Sequence, residues 1–295
     1  DHSAIPPIMD ANIYLFFFAS KKSLKYLYYI IEKKFLSMSY NKVLAIILSS
    51  FILSCSTKNI IPDYEKYTSF EGDLNYRLLY PKDFDKSKSY PLTIFLHGIG
   101  ERGSDNELQL KYVDKVFLNK NNAKKYPSIV VFPQSPISDN WSSRVLTNNS
   151  ISQVFPKEAE PTNSLKLVMK LMDSLVNEKY VDNKKVYLSG LSNGAMGAFE
   201  LLKYRPNMFA SAVLICGAGD PDWAKEFANK TPVWIAHGSN DRVVHPDFSL
   251  FMAKAIIDKG GSPKVTFYEN VFHNSWDNVF SDPEYLEWMY SYFKN

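Results

Sequence analysis

From residue 74 onward, short apolar runs alternate with longer segments in which apolar residues recur every three or four positions. Leu92 to Leu96, Ile129 to Phe132, Val186 to Leu188, Ala212 to Ile215, Val233 to Ala236 and Val265 to Tyr268 are almost continuously apolar. Strands of a parallel sheet covered on both faces read that way. Leu74 to Tyr80 is an earlier strand, expected to be antiparallel and at the sheet edge. Between the strands the spacing predicts helices over about 105–118, 162–179, 195–204, 222–229, 247–259 and 283–293. Strand and helix in alternation build an α/β fold, a doubly wound and mostly parallel sheet with helices on both faces.

Connection lengths refine this picture. About 15 residues separate the strand ending at Cys216 from the one starting near Thr231, which leaves no room for a large lid domain. The longest insert, Gln134 to Pro161, is long enough to expect a functional role.

The chemistry is announced by Gly190-Leu191-Ser192-Asn193-Gly194, set between a strand, Lys185 to Ser189, and a helix, Ala195 to Tyr204. Gly-x-Ser-x-Gly in that setting is the nucleophile elbow of the α/β-hydrolase fold. A serine hydroxyl needs a base, and the base needs an acid to orient it, in the chain order serine, acid, histidine. His273 follows the strand Lys264 to Glu269, and Asp241 follows the strand Pro232 to Ala236. Both loops lie at strand C-terminal ends, so His273 is assigned as base and Asp241 as acid. His237 is a rival base and is expected to hold the loop that presents Asp241. His245 reads as a rim residue, and Asp220, Asp222 and Asp247 are alternative acids.

Acyl transfer also needs N–H donors for the developing oxyanion. One is expected from Asn193, after the nucleophile, and the other from Ile99, in His97-Gly98-Ile99-Gly100-Glu101-Arg102-Gly103. Gly98 shapes that turn and His97 buttresses it; Glu101 and Arg102 can be read as a catalytic carboxylate and an anion clamp, but are expected as a loop-fixing ion pair or as separate surface charges. Gly98, Leu191, Trp141 and Trp276 are the expected substrate contacts, with the two indoles forming an aromatic wall.

Three blocks now stand together: Leu96 to Asn106, Gly190 to Gly194 and His237 to Asp241. They resemble the esterases around carbohydrate esterase family 1, which include feruloyl esterases and polyhydroxybutyrate-depolymerase-like proteins. That group borders on dienelactone-hydrolase-like and prolyl-oligopeptidase-like hydrolases. The likeness covers roughly residues 70–293. It implies a Ser192, His273 and Asp241 triad, with Ile99 and Asn193 as oxyanion donors.

Composition changes the picture mainly at the N-terminus. Met38 to Lys42 followed by an 11-residue run, Val43 to Leu53, apolar apart from Ser49 and Ser50, fits a signal-peptide core. Ile52-Leu53-Ser54-Cys55 looks like a bacterial lipobox, so Cys55 is expected to carry lipid. The expected domains are therefore 1–37, sequence upstream of the true start; 38–54, a lipoprotein-type signal peptide; 55–69, a tether; and 70–295, the catalytic domain. Localisation is expected at the bacterial cell envelope. Residues 1–54 hold six lysines against three acids, and the remainder is balanced at 28 of each sign. The overall charge of +3 therefore says nothing about nucleic acid, and no nucleic-acid partner is expected. No Cys/His cluster has zinc spacing and no phosphate loop is visible, so no metal and no cofactor is expected. Cys216 reads as a small apolar residue in a buried strand.

The expected function is a lipid-anchored serine carboxylic ester hydrolase. Its expected substrates are feruloyl or acetyl esters of plant polysaccharides, or polyesters. A prolyl-oligopeptidase-like serine peptidase and a non-catalytic surface glycan-binding lipoprotein are the alternatives. Nothing in the sequence bears on oligomeric state.

Overall fold

The structure, a computed structural model, describes residues 64–71, 74–146, 153–157 and 160–294. The segments 1–37 and 38–54, Cys55 and the first part of the 55–69 tether lie outside the described residues. In chain order the strands are β1 (Tyr64–Phe70), β2 (Leu74–Leu79), β3 (Tyr90–Leu96), β4 (Ile129–Gln134), β5 (Val145–Leu146), β6 (Gln153–Val154), β7 (Val181–Leu191), β8 (Ser211–Ile215), β9 (Val233–Gly238) and β10 (Lys264–Tyr268). The helices are α1 (Asp114–Phe117), α2 (Lys120–Lys125), α3 (Asn163–Leu175), α4 (Asn193–Tyr204), α5 (Ala224–Phe227), α6 (Asp247–Asp258), α7 (Trp276–Ser281) and α8 (Glu284–Tyr290).

Eight strands form one sheet in the order β1-β2-β4-β3-β7-β8-β9-β10, and β5 pairs with β6 apart from it. From β4 to β10 all neighbours are parallel, while β1 and β2 are antiparallel additions. The chain leaves β3 toward β4 and later returns on the other side as β7. That reversal is a topological switch point, where a crevice opens beyond the strands' C-terminal ends. Leu96 pairs with Gly190, so the loop after β3 and the turn after β7 start at the same level. Helices α3 to α6 pack over one face of the sheet, while α1, α7 and α8 pack over the other.

Several expectations are corrected. The folded body starts before residue 70: β1 occupies part of the expected tether and pairs with β2 from Tyr64↔Leu79 to Phe70↔Leu74. Polar Glu65, Lys66 and Thr68 hide this strand, because an edge strand needs only one apolar face. Tyr67 stacks on Tyr76 at 4.8 Å and supplies that face. Leu74–Leu79 is consequently not the sheet edge. At the other edge, β10 keeps its side chains exposed or half-buried, unlike the parallel strands inside the sheet. The helix expected over 105–118 breaks into a 3-10 turn, Leu108–Leu110, and the short α1. Helices α2 and α7 were not expected; Asn119 caps α2 by accepting from the N–H groups of Asn121 and Asn122.

The break at 105–118 has a cause. Asn106 adopts φ 57°, a left-handed conformation that asparagine tolerates, and is fully buried. Its side-chain amide donates to the carbonyls of Tyr67 (2.8 Å) and Tyr76 (3.1 Å), and its Oδ1 accepts from Gln109 Nε2 (2.5 Å). Its N–H donates to Gln134 Oε1 (2.7 Å), and its carbonyl accepts from Arg77 Nε (2.6 Å). One residue thus ties β1, β2 and β4 to the loop that enters the crevice.

Asn106→Ala strands the buried Tyr76 carbonyl and the half-buried Tyr67 carbonyl and weakens the hold on Gln109, and should cost about 2 kcal/mol of unfolding free energy. Urea titration tests this; a loss below about 1 kcal/mol would show that the knot is dispensable.

Candidate active site

Ser192 stands between β7 and α4 with φ 54° and ψ −118°, a conformation that side chains other than glycine rarely adopt. The neighbouring glycines make the turn passable. A Cβ on Gly194 would lie 2.0 Å from the Leu96 carbonyl oxygen, and one on Gly190 would lie 2.6 Å from the Gly194 oxygen. Neither position can carry a side chain. Ala195 fits because Gly217 faces it: a Cβ there would come within 2.5 Å of the alanine methyl.

The three expected side chains converge. His273 Nε2 lies 2.9 Å from Ser192 Oγ, and His273 Nδ1 lies 2.6 Å from Asp241 Oδ2. The Asp241 side chain is fully buried and that of His273 is 19% exposed. Asp241 Oδ1 accepts from the N–H groups of Val243 (2.8 Å) and Val244 (3.0 Å). Its Oδ2 also meets His237 Nε2 at 3.1 Å. Burial alone would push this carboxyl up, but the hydrogen bonds from His237 and His273 outweigh it and hold the group well below the usual carboxylate range. His237 is fully buried, with Nδ1 2.6 Å from Ser249 Oγ and Nε2 2.9 Å from the Val244 carbonyl, so it holds the Asp241 loop. His245 is exposed and pairs with Asp247.

Asn193 opens α4, and Ile99 opens a 3-10 turn, Ile99–Glu101. The first N–H groups of such turns have no acceptor within the turn. Ile99 follows Gly98, whose Cβ position is 3.7 Å from Ser192 Cβ. Each of the two loops next to Ser192 thus begins a turn with an amide that the turn itself does not use.

What holds those loops together was not visible in the sequence. Trp141 is fully buried, which corrects its expected place in a substrate-facing wall. Its indole N–H donates to the His97 carbonyl (3.0 Å), and its main-chain N–H donates to Asn193 Oδ1 (3.1 Å). It bridges both amide-bearing loops. Asn193 Nδ2 also donates to Asn140 Oδ1 (3.2 Å). Behind them, buried Glu200 accepts from Ser142 Oγ (2.8 Å), Ser143 N (2.7 Å) and Ser143 Oγ (3.0 Å), which pins the insert to α4. Burial pushes the Glu200 carboxyl up, against these hydrogen bonds. Leu191 is 2% exposed and faces Gly98, so it too offers no surface to a substrate. Trp276 is half-buried and meets the His273 ring edge-on at 5.4 Å. Cys216 lies just past β8 with φ 44°, and its thiol sits within 4.8 Å of ligand atoms of Asp241 and His273. Burial pushes that thiol up. Glu101 and Arg102 do not pair: Arg102 Nε donates to the Ile99 carbonyl (2.9 Å), and its Nη1 donates to those of Ile137 (2.9 Å) and Asp139 (3.2 Å).

The profile of the phospholipase/carboxylesterase family matches residues 84–285. Acetylxylan esterase A of Emericella nidulans is 27% identical over 172 residues, 56% of this chain and 51% of that protein. The chain thus spans about half the length of the curated relatives it matches. A thermostable esterase of solved structure is 31% identical with TM-score 0.69, over 80% of this chain and 64% of that one. Dipeptidyl peptidase 4 of Porphyromonas gingivalis shares the fold at TM-score 0.51 and 14% identity, over 72% of this chain and 32% of that one. Fold and family agree with the α/β-hydrolase elbow read from residues 190–194.

His97 generates a test. Its Nε2 accepts the Ser135 N–H (3.1 Å), so its Nδ1 carries the proton donated to the Gly98 carbonyl (2.6 Å). Burial holds it down to about 4. The unfolded chain titrates this group near ~6.5 and so binds an extra proton between the two values. Stability should fall as pH drops through that window, by about 3 kcal/mol at pH ~4. His97→Gln should flatten this part of the pH profile of unfolding free energy; parallel profiles would contradict it.

Proposed function

The chain belongs to the phospholipase/carboxylesterase family, and on that premise we propose that it is a serine ester hydrolase working through Ser192, His273 and Asp241. The observation that carries the reading is the continuous run of hydrogen bonds from Ser192 Oγ through the imidazole to the Asp241 carboxylate. Ser192 Oγ attacks the ester carbonyl while its proton passes to His273 Nε2. The carbonyl oxygen takes the negative charge and is held by the N–H groups of Ile99 and Asn193. As the C–O bond breaks, His273 returns the proton to the departing alcohol. Water then attacks the acyl-Ser192 ester by the same route and releases the carboxylic acid. Asp241 stays ionised and keeps Nδ1–H pointed at itself, so Nε2 is free to accept.

Acetyl or feruloyl esters of plant polysaccharides are the substrate class. The acetylxylan esterase relatives support the polysaccharide ester. Exposed Ile99 and Phe272 on the rim, together with the half-buried Trp276, support room for an acyl group of that size. Polyesters fall within the same chemistry. Wild-type protein should be labelled by a fluorophosphonate probe, should hydrolyse short p-nitrophenyl esters, and should release acid from acetylated xylan or methyl ferulate. Ser192→Ala should lose the label, and His273→Ala should lower kcat by at least about 10⁴-fold. Cleavage of a peptide amide without any ester would instead favour the peptidase reading. Absence of labelling would leave a binding protein.

The protein is also proposed to be held at a bacterial envelope membrane by lipid on Cys55. The support is the run from Met38 to Cys55 in the sequence. Cys55→Ser should move the protein from the membrane fraction to the soluble fraction; unchanged partition would refute the anchor.

A further inference from the structure

The end of the sheet opposite Ser192 takes no part in the acyl transfer above, and it is basic. Two hollows open among the loops that lead into the parallel strands. One, of about 1090 Å³, lies where β7, β8 and β9 begin, and its lining includes Lys184, Arg205, Lys230 and Lys294 but no acidic side chain. Arg205 pairs with Asp173 (3.0 Å), and Lys294 Nζ donates to the Asn207 carbonyl (3.3 Å). Lys184 and Lys230 are exposed and have no ion pair among the described residues. The other hollow, of about 1050 Å³, lies where β3 and β4 begin, and is lined by Lys82, Lys88, Lys120 and Lys124 against one acid, Asp83. Phe293, 67% exposed, stands on the rim of the first hollow. At the crevice end the balance is reversed: loops 239–247 and 269–277 carry Asp241, Asp247, Glu269 and Asp277 against Arg242.

The chain enters the folded body at this same end. Tyr64 pairs with Leu79, which pairs in turn with Val130 at the start of β4 and lines the second hollow. Cys55 precedes Tyr64 by nine residues, a stretch that reaches about 30 Å at most. Lysines gathered around an exposed aromatic side chain suit a membrane surface that bears anionic headgroups. A soluble polyanion would meet the same charge, but a polymeric substrate is needed at the crevice, about 20 Å away along the strands.

We propose that this basic end docks on a membrane surface rich in anionic phospholipid headgroups, with the catalytic crevice facing away from the bilayer. The ester then arrives from the side away from the membrane, as part of an external polymer and not as a lipid of the bilayer that holds the protein. This rests on the membrane reading of Cys55 and adds an orientation to it. Docking by charge is weak and reversible at physiological salt, so it supports a lipid anchor without replacing one.

The test uses the chain from residue 55 onward with Cys55→Ser, which holds every described residue but no lipid, so docking and anchoring fail separately. Its charges balance, so binding reports the patch and not the net charge. Sedimentation at about 0.1 M salt, where charge acts over about 10 Å, should carry it down with vesicles of phosphatidylcholine and phosphatidylglycerol but not of phosphatidylcholine alone. About 1 M salt should release it. Lys120→Glu/Lys124→Glu/Lys184→Glu/Lys230→Glu should weaken binding at least about a hundredfold. Lys157→Glu/Lys166→Glu/Lys225→Glu/Lys254→Glu, the same change of charge away from this end, should bind as the parent does. Both sets should hydrolyse p-nitrophenyl acetate at the parent's rate, which reports an intact fold. Equal loss in the two sets overturns the proposal, as does equal binding to both vesicles or failure of the parent to bind either. Tighter binding to polygalacturonate than to the vesicles also overturns it, in favour of an acidic polymer. Should the first set lose its esterase rate, the phosphatidylglycerol and salt dependence of the parent decides.

Discussion

A single buried carboxylate governs the site. Asp241 is out of contact with water, so its charge survives only because donors surround it. Val243 and Val244 present their N–H groups to one oxygen, while His237 and His273 present ring nitrogens to the other. The turn 241–244 supplies the first pair locally. The second pair comes from β9 and from the loop after β10. Satisfying this one charge therefore fixes where two loops and an imidazole must lie. His237 belongs to this arrangement, with Ser249 on α6 beneath it. The imidazole that faces Ser192 is thus oriented from below by a group that has no freedom to move.

The opposite side of the nucleophile is built differently. The two turns that begin at Ile99 and Asn193, next to Ser192, come from loops 94 residues apart in the chain. No main-chain hydrogen bond between Ile99 and Asn193 joins them. Trp141 does so through its indole and main-chain N–H groups, and the Glu200 carboxylate holds the segment that carries it. The long insert after β4 thus has a role in the site, though its tryptophan works from behind the amides. His97 closes the same knot from the other side, neutral and wedged between the Gly98 carbonyl and the Ser135 N–H. In the proposed acyl transfer, preorganised donors would cost little reorganisation, and this bracing holds the two loops that carry them in place.

The strain at Ser192 belongs to the same design. A positive φ at a serine is tolerable only where the surroundings over-determine it. Here Ser192 N–H donates to the Ile215 carbonyl (2.8 Å), its carbonyl accepts from Met196 N (3.1 Å), and the glycines on each side let β3 approach α4 closely.

The sequence alone determined the strand and helix alternation, the elbow at 190–194, and the loops carrying Asp241 and His273. These are local signals: apolar runs, glycines where backbone crowding forbids a side chain, and polar residues just beyond strand ends. It missed β1 because an edge strand buries one face only, and it drew one helix across 105–118 because periodicity cannot register a buried asparagine in a left-handed turn. Leu191 was placed against substrate because it adjoins Ser192 in the chain, and Trp141 because it is a large aromatic in the longest insert. Only the tertiary structure turned them inward, since a side chain's direction depends on which partners, here His97, Asn193 and Gly98, the packed fold brings to it. The bridging of Asp241 by two histidines has the same origin. Hydrogen bonds between residues distant in sequence are set by strand order and register, which no local pattern encodes.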